Sequence, residues 1–255
     1  MRAVFWRSRI GLNEPVNPSV ITLEHDGSPM KLTWYGHGTW QIETAGKTIL
    51  LDPFLNENPS SPVGADEVSA DVILVSHGHF DHVSDVESIA NRCKSSVVAI
   101  YEIATWFAEK HQVQDTIGMN IGGTADLEFA TVKMTLAIHS SQLPDGSYGG
   151  MPAGFVLMAE GKKVYFACDT ALFGDMELIG SSGLDLAVMP IGDLFTMGVD
   201  DSIEATRMTN PKKVLPAHYN TWPPIEQDGD AWADKIRSQT QSEPFVLKPG
   251  ETFEL

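Results

Sequence analysis

Residues 77–82 read HGHFDH, so four side chains able to bind a metal ion fall within six residues. Imidazole and carboxylate groups are suitable ligands for zinc and neighbouring transition metals. The apolar run at residues 72–75 comes just before and is typical of a buried strand. Folds that alternate strands and helices place ligand sites where strands end in loops. This H-x-H-x-D-H motif therefore predicts a metal site at the end of that strand.

Three further residues of the same chemical types each follow another predicted strand. They are His139, Asp169 and His218. A single histidine after a strand is more often a hydrogen-bonded polar residue than a ligand. Here several separate strands deliver such residues toward one edge, together with the motif. That joint arrangement favours a metal centre.

The chain from residue 30 onward predicts short strands interspersed with helices. Strands are predicted at residues 31–35, 39–44, 47–51, 71–75, 96–100, 131–138, 154–159, 163–167, 184–189 and 214–215, and helices at residues 83–92, 102–111, 171–179, 202–209 and 230–239. Two of the turns, Ala45-Gly46 and Glu160-Gly161, predict hairpins. We predict an α+β sandwich of two mixed sheets packed face to face, with helices on the outer faces.

Length and composition limit the class of protein. The chain has 255 residues, of which 42% are apolar, and this is enough for one large domain. Residues 30–255 are predicted to form that domain. Residues 1–29 are rich in proline and asparagine and are predicted to be an N-terminal extension.

The net charge, the lengths of the apolar runs and the two cysteines indicate which partners and which compartment to expect. A formal net charge of -17 argues against nucleic acid and against an anionic membrane surface, both of which need clustered Lys and Arg. No apolar run reaches the roughly 18 residues of a membrane span. Cys93 and Cys168 are far apart and are predicted to be reduced thiols. We expect a cytoplasmic protein.

The ordered set of motifs resembles the metallo-β-lactamase superfamily, and more closely its lactonase-like subgroup of predicted metal-dependent hydrolases, which includes L-ascorbate-6-phosphate lactonase. The likeness covers residues 30–255. Besides the H-x-H-x-D-H motif, it is carried by residues 32–38, 49–54, 138–141, 169–170, 190–192, 195–198 and 217–221.

The resemblance implies two metal sites. A first ion would be held by His77, His79 and His139, a second by Asp81, His82 and His218, and Asp169 would bridge both. Zinc is expected for so histidine-rich a site, with Mn²⁺ or Fe²⁺ as alternatives. A hydroxide shared by the two ions would attack a carbonyl carbon or a phosphorus.

Several further residues are expected near this centre. Asp81, or His37 if it reaches the site, is predicted to carry a proton to the leaving group. His37 otherwise would be a turn histidine bonded to the backbone. Asp52 either accepts a hydrogen bond from a ligand imidazole or caps a turn. Residues around Gly149, Phe195 and Trp222 are expected to lie beside the pocket.

The leading hypothesis is a binuclear metal-dependent hydrolase of a small ester-like molecule, either a lactone or a phosphodiester. A nuclease on the same fold is an alternative, which the net charge disfavours. A flavodiiron-type enzyme is a further alternative. It would need a further carboxylate ligand in the motif and a flavin domain, and neither is visible. A non-enzymatic metal- or ligand-binding protein is the remaining alternative. Members of the resembling subgroup tend to assemble, so a homo-oligomer is expected.

Overall fold

The computed structural model of the protein describes residues 29–255. Its strands are β1 (Lys31–Trp34), β2 (Trp40–Thr44), β3 (Lys47–Leu51), β4 (Val72–Val75), β5 (Ser96–Ile100), β6 (Thr116–Met119), β7 (Thr124–Asp126), β8 (Thr131–Leu136), β9 (Ala153–Ala159), β10 (Lys162–Phe166), β11 (Leu186–Pro190), β12 (Lys213–Ala217), β13 (Glu243–Pro244) and β14 (Thr252–Glu254). Its α-helices are α1 (Phe80–Val83), α2 (Val86–Cys93), α3 (Tyr101–Lys110), α4 (Met176–Gly180), α5 (Val199–Thr209) and α6 (Gly229–Gln239), and a 3₁₀ turn lies at Pro223–Ile225.

The strands form two mixed sheets. One has the order β14-β1-β2-β3-β4-β5-β6 and the other the order β13-β12-β11-β10-β9-β8-β7. Each sheet combines an antiparallel half with a parallel half. The predicted α+β sandwich is confirmed, with helices covering the sheets.

The strand directions bring particular chain ends together. In the first sheet, β1, β3 and β4 run the same way, because β2 is antiparallel to both β1 and β3 while β4 is parallel to β3. In the second sheet, β8, β10 and β12 share a direction by the same reasoning. The carboxyl ends of each set therefore emerge at one edge of their sheet, where ligand-bearing loops can meet.

The core lies between the sheets. Leu32, Ile42 and Ile49 of the first sheet and Phe155 and Tyr165 of the second are fully buried in one continuous apolar cluster. Helix α3 packs on β5 and β6, and α5 packs on β11 and α6. This packing fixes the sheets relative to each other, so their loops are carried on a rigid support.

Both predicted hairpins are confirmed. Ala45 and Gly46 link β2 to β3 with φ values of 50° and 69°, and Glu160 and Gly161 link β9 to β10 with 51° and 73°. Two consecutive residues with positive φ give the turn whose twist matches that of paired strands.

The helix predicted at residues 83–92 is instead two helices, α1 and α2, separated at Asp85. The Asp85 carboxylate is buried and accepts hydrogen bonds from the backbone N–H groups of Leu55 and Asn56. Its own N–H donates to the carbonyl of Pro53. These contacts with a distant loop outweigh helical continuity and turn the chain at Asp85.

The helix predicted at residues 171–179 is wrong over its first part, because only Met176–Gly180 is helical. The Ala171 N–H donates to the carbonyl of Ile138, and the Ile138 N–H donates to the hydroxyl of Thr170. These hydrogen bonds hold the segment against the residues that follow β8, so it does not form a helix.

Four short strands were absent from the prediction, namely β6, β7, β13 and β14. Each has at most four residues, too few for a periodic pattern. Strand β14 forms by pairing with β1, which lies at the other end of the described sequence. Apart from Pro29, the predicted N-terminal extension lies outside the described residues. Over residues 29–255, none of the helices combines the length and the apolar character needed to cross a membrane.

Candidate metal centre

The H-x-H-x-D-H motif leaves β4 and enters α1. Gly78 occupies a position where a Cβ atom would lie 3.2 Å from the side chain of Leu143. Its N–H donates to the hydroxyl of Ser141, 3.0 Å away. Helix α1 then buries Asp81 and His82 while leaving Phe80 half exposed. A strand end, a glycine and one helical turn thus aim the motif's polar side chains inward.

Three histidines form the first candidate group. The Nε2 atom of His77 lies 3.0 Å from Nδ1 of His79, and Nε2 of His139 lies 3.3 Å from the same Nδ1. The three atoms all lie within 4.8 Å of one another. Burial lowers the pKa of each of these imidazoles, so they are neutral near pH 7 and present lone pairs.

The orientation of His77 is fixed from behind. The Ser76 hydroxyl lies 2.5 Å from Oδ2 of Asp52 and 2.9 Å from Nδ1 of His77. The hydroxyl donates to the carboxylate, so Nδ1–H of His77 donates to the hydroxyl oxygen. The unprotonated nitrogen of His77 is then Nε2, which faces His79.

Asp81, His82 and His218 form the second group, with His37 alongside. Nδ1 of His82 donates to Oδ2 of Asp52 over 2.9 Å, which turns Nε2 of His82 toward the centre. The Nε2 atoms of His82 and His218 are buried and make no well-aligned hydrogen bond, although Oδ2 of Asp169 lies 3.4 and 3.0 Å from them. Buried nitrogens of this kind are costly unless something binds them, and a divalent cation satisfies that requirement.

Asp169 lies between the two groups. Its Oδ2 atom is 3.0 Å from Nε2 of His218, 3.4 Å from His82, 3.7 Å from His139 and 3.9 Å from His77. Burial alone would raise the pKa of Asp169, but His218 and His82 hold it well below its usual range. One ionised oxygen is thus within reach of ring nitrogens from both groups.

His82 balances part of this negative charge. Burial alone would lower its pKa, but Asp169, Asp81 and Asp52 raise it well above its usual value. A positive charge at His82, whether a proton or a bound cation, therefore offsets these buried carboxylates. Bound divalent cations would take over that charge and free Nε2 to act as a ligand.

His37 is fully buried behind Asp81 and does not reach the cavity surface. Burial, followed by the nearby His218, lowers its pKa to about 3, so the ring is neutral. Its Nε2–H donates to Oδ2 of Asp81 over 2.9 Å, and its Nδ1 accepts the hydroxyl of Thr221, also at 2.9 Å. The His37 side chain therefore acts on the site through Asp81.

Four residues beside the centre have left-handed backbone conformations. The φ values are 54° at His37, 46° at Asp52, 54° at Cys168 and 53° at His218. Such conformations cost roughly 1 kcal/mol or more in a residue other than glycine, and they persist only where surrounding contacts hold them. One such contact is the hydrogen bond from the His218 N–H to the His37 carbonyl, 3.0 Å long.

The centre opens into a cavity of about 910 Å³. Side chains from both groups line its floor, and Phe80, Leu143, Leu194, Phe195 and Trp222 line its walls. Trp222 and Phe195 thus lie where they were predicted. The loop that carries Gly149 contributes Leu143, Pro144 and Gly146 to the lining, while Gly149 itself is bonded to Ser141.

The structure brings all seven predicted ligand residues together. Asp52 lies where one of its two interpretations placed it, bonded to the imidazole of His82, a predicted ligand. Sequence reasoning missed Ser76 and Thr221, whose hydroxyl groups orient His77 and His37. Position was the available signal, because Ser76 precedes the motif and Thr221 stands three residues after His218.

Comparison with known proteins agrees with this geometry. Residues 47–219 match the family model described as a beta-lactamase superfamily domain. Over 227 residues, the chain is 49% identical to a UPF0173 metal-dependent hydrolase of Thermus thermophilus, covering 89% of this chain and 99% of that relative.

Two solved structures extend the comparison. Igni18, a metallo hydrolase from Ignicoccus hospitalis, matches with a TM-score of 0.80 and 33% identity over 89% of this chain and 99% of that one. The metallo-beta-lactamase fold protein YhfI from Bacillus subtilis shares the fold alone, with a TM-score of 0.66 at 14% identity over 89% of this chain and all of that one. This chain therefore belongs to the beta-lactamase superfamily and is a metal-dependent hydrolase.

Proposed function

We propose that this protein is a binuclear hydrolase of a small ester-like molecule, a lactone or a phosphodiester. The observation that carries the proposal is the position of Asp169. Its Oδ2 atom lies 3.0–3.9 Å from nitrogens of His218 and His77, which belong to different groups. A carboxylate oxygen shared by two sets of ligands is what a pair of neighbouring cations requires. The narrower resemblance to the lactonase-like subgroup stays a prediction.

The first ion would be held by His77, His79 and His139, and the second by Asp81, His82 and His218, with Asp169 shared. Neutral imidazoles with few carboxylates favour zinc, and Mn²⁺ or Fe²⁺ would also fit this donor set. When bound, two such ions supply a hydroxide at neutral pH and offset the charge that develops on the reacting oxygen.

Residues around the centre hold Asp81 in place and exclude water from the reacting bond. Asp81 keeps 12% of its side chain exposed toward the cavity while His37 holds it from behind. Burial alone would raise the pKa of Asp81, but His82 and His37 hold it well below its usual range, so the carboxylate is ionised. We assign Asp81 the additional role of accepting the proton that the attacking water loses and passing it to the leaving group. Phe80 and Trp222 line the adjacent wall and keep water from the reacting bond.

Two features support a small substrate over a nucleic acid. The net charge is -17. Among residues 29–255, no lysine or arginine lines the cavity. A nuclease needs cationic side chains to bind the phosphate backbone.

The direct test is metal stoichiometry in matched variants. The purified chain is loaded with Zn²⁺ or Mn²⁺, desalted and measured by elemental analysis. We expect about two ions per chain in the wild type and about one in His77→Ala or His218→Ala. His111→Ala is the control, because His111 bonds Glu87 on the surface away from the centre.

Activity is measured on the same samples with a panel of lactones, carboxylic esters and phosphodiesters. Loss of hydrolysis in both ligand variants, with retention in His111→Ala, supports the proposal. A wild-type protein that binds a single ion, or ligand variants with unchanged metal content, would contradict it.

A further inference from the structure

The geometry points to an uncharged lactone or carboxylic ester with an aryl or alkyl side group as the substrate, in preference to one whose side group carries a phosphate. This inference rests on the proposed function and narrows its substrate class. Three observations carry it, namely the apolar walls of the cavity, the way they are held, and the charges that line it.

The cavity concentrates exposed apolar side chains. Eight large hydrophobic residues are exposed among those described, and three of them, Phe80, Leu194 and Phe195, line this cavity with exposures of 51%, 65% and 51%. Exposed apolar surface is unfavourable in water, and a cluster of it marks a binding site. Such a wall is complementary to an apolar group of a ligand.

One wall is aromatic and rigid. The ring of Phe80 lies 6.2 Å from Trp222, and both rings contact the buried Phe54 at 5.8 and 6.0 Å. Phe80 stands between two predicted ligands, His79 and Asp81, so its ring lies directly beside the centre. An aryl or alkyl group attached to the reacting carbonyl would pack on this wall.

A second part of the wall is presented by a tight loop. The Asp193 carboxylate accepts the N–H of Leu194, and the Asp193 N–H donates to the carbonyl of Met197. Leu194 has a φ of 39°, and the Met197 N–H donates to the carbonyl of Thr170, next to Asp169. The loop is therefore anchored at the metal centre, with Leu194 and Phe195 at its tip.

The cavity offers a further anion little to bind. The ionisable groups on its surface are Asp81, Asp169, His79, His139 and His218, all of them predicted metal ligands. None of the lysines and arginines in the described part of the chain is among its lining residues. Phosphate groups in proteins are recognised by cationic side chains or by N–H groups at a helix start. A phosphate remote from the metals would therefore meet apolar walls.

Binding is tested separately from hydrolysis. The metal-loaded full chain is titrated calorimetrically with a phenylalkyl lactam, a stable analogue of the lactone, and with the same lactam carrying a phosphate on its side group. We expect the neutral lactam to bind at least about tenfold more tightly. Equal binding, or tighter binding of the phosphate, would overturn the inference.

Variants link the preference to the walls. Phe195→Ser is expected to raise KM for a phenylalkyl lactone severalfold and to raise KM for an unsubstituted lactone by a smaller factor. Leu194→Lys is expected to improve kcat/KM for the phosphorylated lactone. Leu178→Ser is the matched control, because Leu178 is 70% exposed on α4 and does not line the cavity. The inference fails if Phe195→Ser and Leu178→Ser behave alike.

Different results would contradict the proposed hydrolysis and the inferred substrate class. If the protein binds the neutral lactam more tightly than the phosphorylated one but hydrolyses none of the lactones, esters or phosphodiesters, the proposed reaction is wrong and only the preference of the cavity for an uncharged ligand stands. If it hydrolyses the phosphorylated lactone or a phosphodiester better than the neutral lactone, the hydrolase proposal stands and the substrate class is wrong.

Discussion

The imidazole of His37 donates a hydrogen bond from Nε2 to Oδ2 of Asp81 over 2.9 Å, while its Nδ1 accepts the Thr221 hydroxyl. This series of hydrogen bonds joins a loop after β1, the motif after β4 and a loop after β12. Each of its members orients the next, and the last faces the cavity. Partners of this kind behind metal ligands typically contribute 10–100-fold in metal affinity or activity.

Thr221→Val should weaken the second metal site. Valine has the same shape as threonine but cannot donate to His37, so the ring and Asp81 lose their fixed orientation. We expect affinity for the second ion to fall roughly tenfold and affinity for the first ion to stay unchanged. Stepwise chelator competition measures both. Thr221→Ser keeps the hydroxyl and should behave as the wild type, and equal effects of the two changes would rule out the hydrogen bond as the cause.

Asp52→Asn should reduce metal affinity through His82. The Asp52 carboxylate accepts from Nδ1 of His82 and from the N–H and hydroxyl of Ser76. Asparagine tolerates the left-handed backbone at this position, so the variant isolates the loss of charge. We expect roughly 10–100-fold weaker binding of the second ion. Unchanged affinity in the same chelator assay would show that Asp52 is only a structural residue.

Gly192→Ala should displace the loop that carries His218. A Cβ atom at Gly192 would lie within 2.2 Å of the His218 carbonyl oxygen, a contact that backbone movement must relieve. We expect a loss of about 1–3 kcal/mol in the free energy of unfolding and weaker binding of the second ion. Gly174→Ala is the control, since nothing lies within 4 Å of the added atom and its φ is not positive. Urea denaturation and metal analysis compare the two.

The first metal site should tolerate mild acid. A proton and a metal ion compete for the same ring nitrogen, and burial lowers the pKa of His77, His79 and His139 below 6.5. Proton competition should therefore begin only below that pH. In His218→Ala, which isolates the first site, we expect zinc affinity to stay nearly level from pH 8 to about 6.5 and then to fall. A steep decline between pH 8 and 7 would contradict the lowered pKa values.

The centre itself could be predicted from sequence because its chemistry is concentrated. His139, Asp169 and His218 have side chains that packing does not require, and each stands just past a strand that can be recognised by its apolar run. The strand directions then carry these residues to shared edges, so local patterns sufficed. The hairpin at Ala45-Gly46 was predictable for the same reason, because the turn and its strands are adjacent.

Contacts between distant residues set the rest. Thr221 and His37 are 184 residues apart, so no local pattern predicts their hydrogen bond. The break between α1 and α2 depends on Asp85 binding a loop about 30 residues earlier. The left-handed backbone of His37 is a further such feature. The neighbouring Gly36 allows it but does not specify it.

Diffraction from crystals of the zinc-loaded protein, recorded on both sides of the zinc absorption edge, would locate the bound ions. We predict two anomalous peaks per chain, roughly 3.5–4 Å apart, with the Asp169 carboxylate between them. One peak should lie beside His77, His79 and His139, and the other beside His82 and His218. A single peak, or peaks away from Asp169, would contradict a two-metal centre.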